Sequence, residues 1–266
     1  MTGRLPNAPL VYACASVRFE RIGDLSKRVD DLQAILRKNG FPLYHLQSSM
    51  TVTVDQNGPR TQQQDFHIFN NADKVAGFLL AQDSLFFHAL DYDTFESSIA
   101  NPLGMALEAI KAVYGAIFFS FIGNRYIDWI RPGNQEPLSK YVEPQLIPIS
   151  LDGMNLVGRV GLQQFLSPEG IALMIRHFGA AGHRPLPDDL IFSCSQLRSE
   201  ELLSQQVTEN QVVVDTDATL SFEPKEYATE ELLFHIRKVH MQASAAFDSP
   251  KIFSREARQF WKGENP

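Results

Sequence analysis

Residues 101–132, NPLGMALEAIKAVYGAIFFSFIGNRYIDWIRP, decide the fold of this 266-residue chain. Asn101 can cap a helix and Pro102 suits its first turn, and apolar residues then recur at helical spacing as far as Gly115. The next segment, residues 116–122, is apolar at both alternating sets of positions, which is typical of a strand buried on both faces. Such a strand lies at the centre of a sheet, so we expect the other elements to cover it. Polar residues come only at its predicted end.

The first part of the chain predicts further strands and helices around that centre. Residues 74–81 and 84–91 (KVAGFLLA and SLFFHALD) predict a hairpin whose arms are apolar on both faces. Residues 24–38 have the pattern of an amphipathic helix, and the polar segment 55–64 predicts a turn or loop. The order of elements predicts an α+β protein with mostly antiparallel sheets and with helices packed on one face.

The pattern resets after Ser150, so we expect two β-rich halves, residues 1–150 and 151–266, that share a continuous or abutting core. In the second half, residues 168–178 (PEGIALMIRHF) predict a helix. Three later segments predict antiparallel strands, at residues 190–197, 202–207 and 212–222. A long amphipathic helix follows them.

Composition argues against several classes of partner. The net charge of −7 disfavours nucleic acid, because phosphate neutralisation needs clustered Lys and Arg. No apolar segment approaches the roughly 20 residues that span a bilayer, so we expect no membrane partner. The first residues, MTGRLPNAPL, lack the apolar core of a signal peptide. These features predict a cytoplasmic protein in which Cys14 and Cys194 are reduced, buried thiols.

Four polar residues are candidates for a binding site: Arg125, Tyr126, Asp128 and His88. Period-two alternation along the central strand places Tyr126 and Asp128 on one face and Arg125 on the other. A polar cluster there can bind an anion, a peptide or a partner, and a structural ion pair with an anchoring tyrosine explains the same residues. His88 lies on an apolar strand, where a hydrogen-bonded core histidine is the alternative to a binding residue.

Several segments carry a resemblance to a known family. They are the strand at residues 9–19, the hairpin with Asp83, Leu85 and Tyr92, the helix at Phe95, the stretch from Arg125 to Pro132, and the helix at residues 240–247. By these features the chain resembles a bacterial family that is sporadically distributed and of unknown function. The resemblance implies a bacterial protein carried irregularly among genomes, as accessory and defence-related genes often are. It supplies no catalytic residues.

The sequence lacks the common catalytic and nucleotide-binding motifs, including the Walker A loop, the nucleophile elbow and the zinc-protease helix. Asp215 and Asp217 share one strand face, where two carboxylates bind a cation, act as acid and base, or simply contact solvent. We therefore predict a protein that is not an enzyme, needs no cofactor or metal, and acts through protein–protein binding. A hydrolase with dispersed Asp, Glu and His residues in a cleft and a small-ligand sensor remain alternatives.

The strands that are apolar on both faces also predict self-association. Helices on one face of a sheet leave the other face open, and residues 74–81, 84–91 and 116–122 need cover there. The second half of the chain or a second copy can supply it. We predict a two-fold homodimer, the commonest symmetry of protein oligomers.

Overall fold

A computed structural model describes residues 5–55, 58–133, 135–149, 151–179 and 182–264, with only the backbone described for 51–55 and 58–62. The strands are β1 (Leu10–Phe19), β2 (Leu43–Asp55), β3 (Gly58–Asn70), β4 (Ala76–Ala81), β5 (Ser84–Ala89), β6 (Phe118–Ile130), β7 (Arg159–Leu166), β8 (Ala172–Gly179) and β9 (Val212–Glu226). The α-helices are α1 (Val29–Lys38), α2 (Asn101–Tyr114), α3 (Asp188–Cys194), α4 (Glu200–Ser204), α5 (Thr229–Phe247) and α6 (Arg255–Trp261).

The strands form one nine-stranded sheet in the order β2-β3-β4-β5-β1-β6-β9-β8-β7. Every pair of neighbours in this sheet is antiparallel, which confirms the predicted α+β class with antiparallel pairing. The pairing of β6 with β9 joins the strands of residues 1–150 to those of residues 151–266. The division of the chain into two halves at Ser150 stays a prediction.

Strand β6 lies near the middle of the sheet, between β1 and β9, as its two apolar faces predict. It is longer than expected and runs to Ile130, so Arg125 and Asp128 lie inside the strand rather than at its end. The physical reason is that Ile127 and Trp129 continue one apolar face beyond the polar residues, and both side chains are buried. The polar side chains of β6 are therefore placed within the interior of the sheet.

Helices cover both faces of the sheet, so the prediction that they pack on one face is not confirmed. Helices α1, α2 and α5 share a core with alternate residues of the central strands, such as Ala13 of β1 and Phe87 of β5. On the opposite face, Leu190 and Cys194 of α3 pack against neighbours that include Tyr12 of β1. The strands that are apolar on both faces are thus covered within the chain, so their cover does not require a dimer.

Two predicted elements of the second half are wrong in type. Residues 172–179 form strand β8 rather than a helix, because Leu173 and Ile175 share one face of the sheet and pairing with β9 favours that alternation. Residues 188–194 form helix α3 rather than a strand, with two acidic residues in the first turn, after Pro187, where the helix dipole favours negative charge. The strand predicted at 202–207 is also wrong, because residues 200–204 form helix α4 and residues 205–207 belong to neither a helix nor a strand.

The polar segment at residues 55–64, predicted as a loop, belongs largely to a long hairpin. Strands β2 and β3 pair along thirteen positions, from Leu43 opposite Asn70 to Asp55 opposite Gly58, while residues 56 and 57 lie outside the described part. Only the last four residues of β3 also pair with β4. The outer part of the hairpin is therefore a two-stranded ribbon that extends beyond the rest of the sheet.

The two cysteines are buried and free, as the sequence predicts. Burial raises the pKa of the Cys194 thiol to about 11, so this side chain stays neutral at ordinary pH. Within the described residues, no helix is both long and apolar enough to span a bilayer.

Gly77 in β4 provides a test of the packing between neighbouring strands. A Cβ atom at this position would lie 2.1 Å from Oδ1 of Asn70 and 2.9 Å from the carbonyl oxygen of Phe69. Asn70 is itself held by a hydrogen bond from Nδ2 to the carbonyl oxygen of Gln196 at 2.7 Å. We expect Gly77→Ala to lower the free energy of unfolding by about 1–3 kcal/mol, measured by urea denaturation.

The matched control is Gly23→Ala, because a Cβ atom at Gly23 would have no neighbour within 4 Å. We expect it to change the free energy of unfolding by less than about 0.5 kcal/mol. Equal unfolding midpoints for the two variants would show that the contact between Gly77 and Asn70 is not tight.

Candidate functional site

Arg125 lies on the α3 face of the sheet in a cluster of four charged side chains. Its Nε donates to Oδ1 of Asp215 at 2.7 Å, and its Nη1 donates to Oδ2 of Asp189 at 2.6 Å. Arg176 of β8 donates to the same Asp215 from Nη2 at 2.6 Å. The cluster therefore ties three neighbouring strands and helix α3 together.

The burial of Asp215 determines whether this cluster can bind a ligand or has only a structural role. Its side chain is 0% exposed, and its two oxygens accept hydrogen bonds from both guanidinium groups. Asp215 is thus not on a solvated strand face, as one interpretation of the sequence held. Burial lowers the pKa of Arg125, but the hydrogen bonds that it donates to Asp215 and Asp189 outweigh burial and raise the pKa overall. We interpret the cluster as structural, because both oxygens of its buried carboxylate already accept hydrogen bonds from arginine side chains.

His88 lies on the same face but in the core rather than in a pocket. Its Nδ1 is 2.9 Å from the hydroxyl oxygen of Tyr12, and the side chain is fully buried. Burial lowers the pKa of His88 to about 3, so the imidazole is neutral. Its Nε2 has no hydrogen-bond partner within the described part of the chain. The core interpretation of His88 fits this geometry, with one ring nitrogen left unsatisfied.

Tyr126 and Asp128 lie on the opposite face, where alternation places them, and both line a cavity of about 180 Å³. The cavity lies between helix α5, the segment 5–10 and the segment 90–94 that follows β5. The structure therefore separates the four predicted residues into three places. Arg125 belongs to the ionic cluster, His88 to the core, and Tyr126 with Asp128 to the cavity.

A chain of polar contacts crosses one wall of the cavity. The hydroxyl oxygen of Tyr126 is 2.7 Å from Nδ1 of His240, and Oγ of Ser244 is 3.2 Å from the same nitrogen. The His240 ring also stacks on Phe95, with ring centroids 3.9 Å apart. Burial is the main cause that lowers the pKa of His240 to about 4, so its imidazole is neutral at ordinary pH.

His240 is a site residue that the sequence analysis did not select. It lies four residues after Ile236, on the buried side of α5, where the sequence pattern predicts only apolar residues. A histidine within an apolar helical stripe is the sequence signal for such a residue, because a buried polar side chain needs a partner. Its partner, Tyr126, is 114 positions away in the sequence, and only the fold brings the two together.

Asp128 is the most unusual side chain of the cavity. The residue is 3% exposed, and among the described residues no side chain forms a hydrogen bond or an ion pair with its carboxyl group. Burial, and then the charge of Asp215 behind it, raise the pKa of Asp128 to about 8. A buried carboxyl without a partner either keeps a proton or binds a cation.

The edge strand β7 and the segment before it form a second candidate surface, which exposes many apolar side chains. Strand β7 pairs with β8 on one side only, and each of its residues is exposed or half-buried. The strand and the segment before it expose large apolar side chains at Ile149, Leu151, Met154, Val157, Val160, Leu162, Phe165 and Leu166. We call this set the apolar edge.

Comparisons with known proteins do not identify the chain, since no family model and no curated protein matches it. The resemblance to the sporadically distributed bacterial family therefore stays a prediction. Within the described residues, no group of three or more His, Cys, Asp and Glu side chains is arranged to hold a metal ion.

Neutralising the Asp215 carboxylate, at the centre of the ionic cluster, should have a large effect on the free energy of unfolding. In Asp215→Asn, the side chains of Arg125 and Arg176, which are 11% and 30% exposed, would keep their positions but lose the buried negative charge between them. We expect the free energy of unfolding at pH 7 to fall by about 3–5 kcal/mol, measured by chemical denaturation.

Asp217→Asn is the control, because Asp217 lies on the same strand face and has its pKa raised to about 6, chiefly by burial. Because the pKa of Asp217 is higher in the folded state than in the unfolded state, its contribution to the free energy of unfolding falls as pH rises from about 4 to 6. Asp217→Asn removes this fall, so the variant should become more stable relative to the parent protein over that interval. A loss of stability in Asp217→Asn as large as that in Asp215→Asn would contradict the assignment of the cluster.

Proposed function

We propose that the protein acts by binding another protein chain rather than by catalysis, and that the apolar edge is its binding surface. The observation that carries this proposal is the number of large apolar side chains exposed along and before β7. Soluble monomers seldom expose contiguous apolar patches of this kind, and larger ones mark interaction sites.

The sequence of β7, RVGLQQFL, supports a strand-to-strand contact. Edge strands are normally protected by charged residues, proline or a covering helix, since their free N–H and C=O groups can pair with another chain. In β7 the only charged residue is Arg159, at its first position, and the strand has no proline. A partner strand added to this edge would satisfy its backbone groups and cover its apolar side chains.

We propose a second copy of this chain as the occupant of the apolar edge. The whole chain has a net charge of −7, so two copies repel each other over most of their surfaces. Residues 149–166 contain only Asp152 and Arg159 as charged residues, so their net charge is zero and repulsion is weakest there. Antiparallel pairing of β7 with its counterpart has two-fold symmetry and gives a closed dimer.

The hydrolase alternative has less support from the cavity. The contact between Tyr126 and His240 and the shifted pKa values are features that an active site would have. However, the nearby Oγ of Ser244 lies 3.2 Å and 3.3 Å from the two nitrogens of the His240 ring, so it is not aligned with either one. This geometry does not activate a nucleophile.

The wider role rests on the sequence alone. We propose a cytoplasmic bacterial protein with an accessory, defence-related role, because the family resemblance implies irregular carriage among genomes. Binding through the apolar edge agrees with such a role, since accessory proteins act through their partners.

Leu162→Lys tests the apolar edge directly. Leu162 is 55% exposed on β7, and a lysine there would bring a charge into each half of the two-fold contact. We expect the unmodified protein to show twice the 30.0 kDa mass of one chain by light scattering at micromolar concentration. The variant should raise the dimer dissociation constant by at least about tenfold.

Leu46→Lys is the matched control, because Leu46 is 52% exposed on β2, the strand at the other edge of the same sheet. We expect it to leave the dimer intact. A mass of 30.0 kDa for the unmodified protein at every concentration would rule out the second copy as the occupant.

A further inference from the structure

The cavity beneath α5 has an acidic and aromatic lining that the proposed protein-binding function does not use. Asp128 lies on its wall, and Asp93 lies among the residues that line it from the segment after β5. The described residues that line it include no lysine and no arginine. The one histidine among these described residues, His240, is neutral at ordinary pH because burial lowers its pKa. The electrostatics of the cavity therefore favour a positively charged occupant over an anion.

The remaining lining residues add hydrogen-bond acceptors and aromatic surface. The hydroxyl groups of Thr216 and Tyr126 belong to paired positions on β9 and β6, and both residues line the cavity. The rings of Tyr92 and Tyr126 meet edge to face with centroids 5.8 Å apart. An ammonium group gains from both kinds of neighbour, since hydroxyl oxygens accept its hydrogen bonds and aromatic rings attract its charge.

We propose that this cavity binds a small organic amine, with the Asp128 carboxylate pairing with its ammonium group. Asp128 is an almost fully buried carboxyl that lacks a partner among the described side chains, and a bound ammonium supplies one. The volume of about 180 Å³ limits the size of the ligand. A cavity of about 150 Å³ admits benzene, so a single ring with an aminomethyl substituent is near the upper limit here.

A divalent metal ion fits the same cavity less well. Such ions take six or more oxygen ligands, usually from several carboxylates. Of the three aspartates among the described lining residues, only Asp128 is buried, and Asp91 and Asp93 are exposed. An organic ammonium needs only one carboxylate together with neutral acceptors, which is the donor set that this cavity offers.

Three probes of similar shape and different charge test the proposal: benzylamine, benzyl alcohol and benzoate. We expect calorimetric titration of the full chain at pH 8 to show benzylamine binding at least about tenfold more tightly than benzyl alcohol, with no binding of benzoate. Equal affinities for the three probes, or no binding of benzylamine, would overturn the proposal.

Asp128→Asn removes the charge and keeps the shape, and we expect it to abolish the preference for benzylamine over benzyl alcohol. Asp93→Asn is the control, because it removes the same charge from an exposed position on the rim, and its effect should stay below about threefold. An Asp128→Asn variant that keeps the full preference for benzylamine would overturn the role of the carboxylate.

The pH dependence gives a readout that does not depend on a variant. The titratable groups around Asp128 are Asp215 behind it, Tyr126 on its own strand, Tyr92, Asp91 and Asp93 after β5, and His240 on α5. The pKa of Asp128 is about 8 in the free protein, so benzylamine affinity should increase between pH 6 and pH 8 as the carboxyl loses its proton. An affinity that is constant over this interval would contradict pairing with Asp128.

The Asp128 carboxyl should also affect how the stability of the free protein depends on pH. Its pKa is higher in the folded state than in the unfolded state, so its contribution to stability falls as pH rises from about 4 to 8. Asp128→Asn should remove this decline, and it should also fold, since the amide replaces a carboxyl that is mainly protonated at pH 7. Identical pH profiles for both proteins would show that Asp128 is not the buried, unpaired acid described here.

Discussion

The pairing of β6 with β9 is the interaction on which the rest of the structure depends. It joins two segments about 90 positions apart in sequence along most of the length of both strands. Strand β1 completes the buried centre from the other side of β6. Because the sheet is continuous across these three strands, the charges that they carry are fixed relative to one another, and the helices of both faces pack on a single rigid support.

Two aspartate side chains near this centre, Asp215 and Asp128, show how the surroundings of a carboxyl group determine its protonation state. Asp215 faces α3 and receives two guanidinium groups, while Asp128, on the neighbouring strand, faces α5 and receives no cation from the described residues. Both are almost completely buried. Each face of the sheet therefore has its own electrostatic character: the charges on one are compensated within the protein, and the carboxyl on the other is left for a proton or a ligand.

Much of the fold follows from local sequence pattern, and most of the site does not. The two-sided apolarity of residues 116–122 correctly indicates a central strand, because that pattern depends on burial alone. The sequence pattern predicts a helix where β8 lies and a strand where α3 lies, and both predictions are wrong. A short apolar segment fits the helical period and the strand period equally well, so contacts with distant segments decide which structure forms. Alternation placed Tyr126 and Asp128 on one face, but no local signal connects Tyr126 to His240 or Arg125 to Asp215.

The ribbon formed by the outer parts of β2 and β3 gives this protein two levels of conformational stability. Beyond Ser48 and Asp65 the two strands pair only with each other, and an isolated two-stranded hairpin is marginally stable in water. We therefore expect amide protons of the ribbon to exchange through local opening, and those of β1, β6 and β9 to exchange only when the whole sheet unfolds. On this expectation a single free energy of unfolding describes the sheet, and the ribbon opens as a separate cooperative unit at its edge.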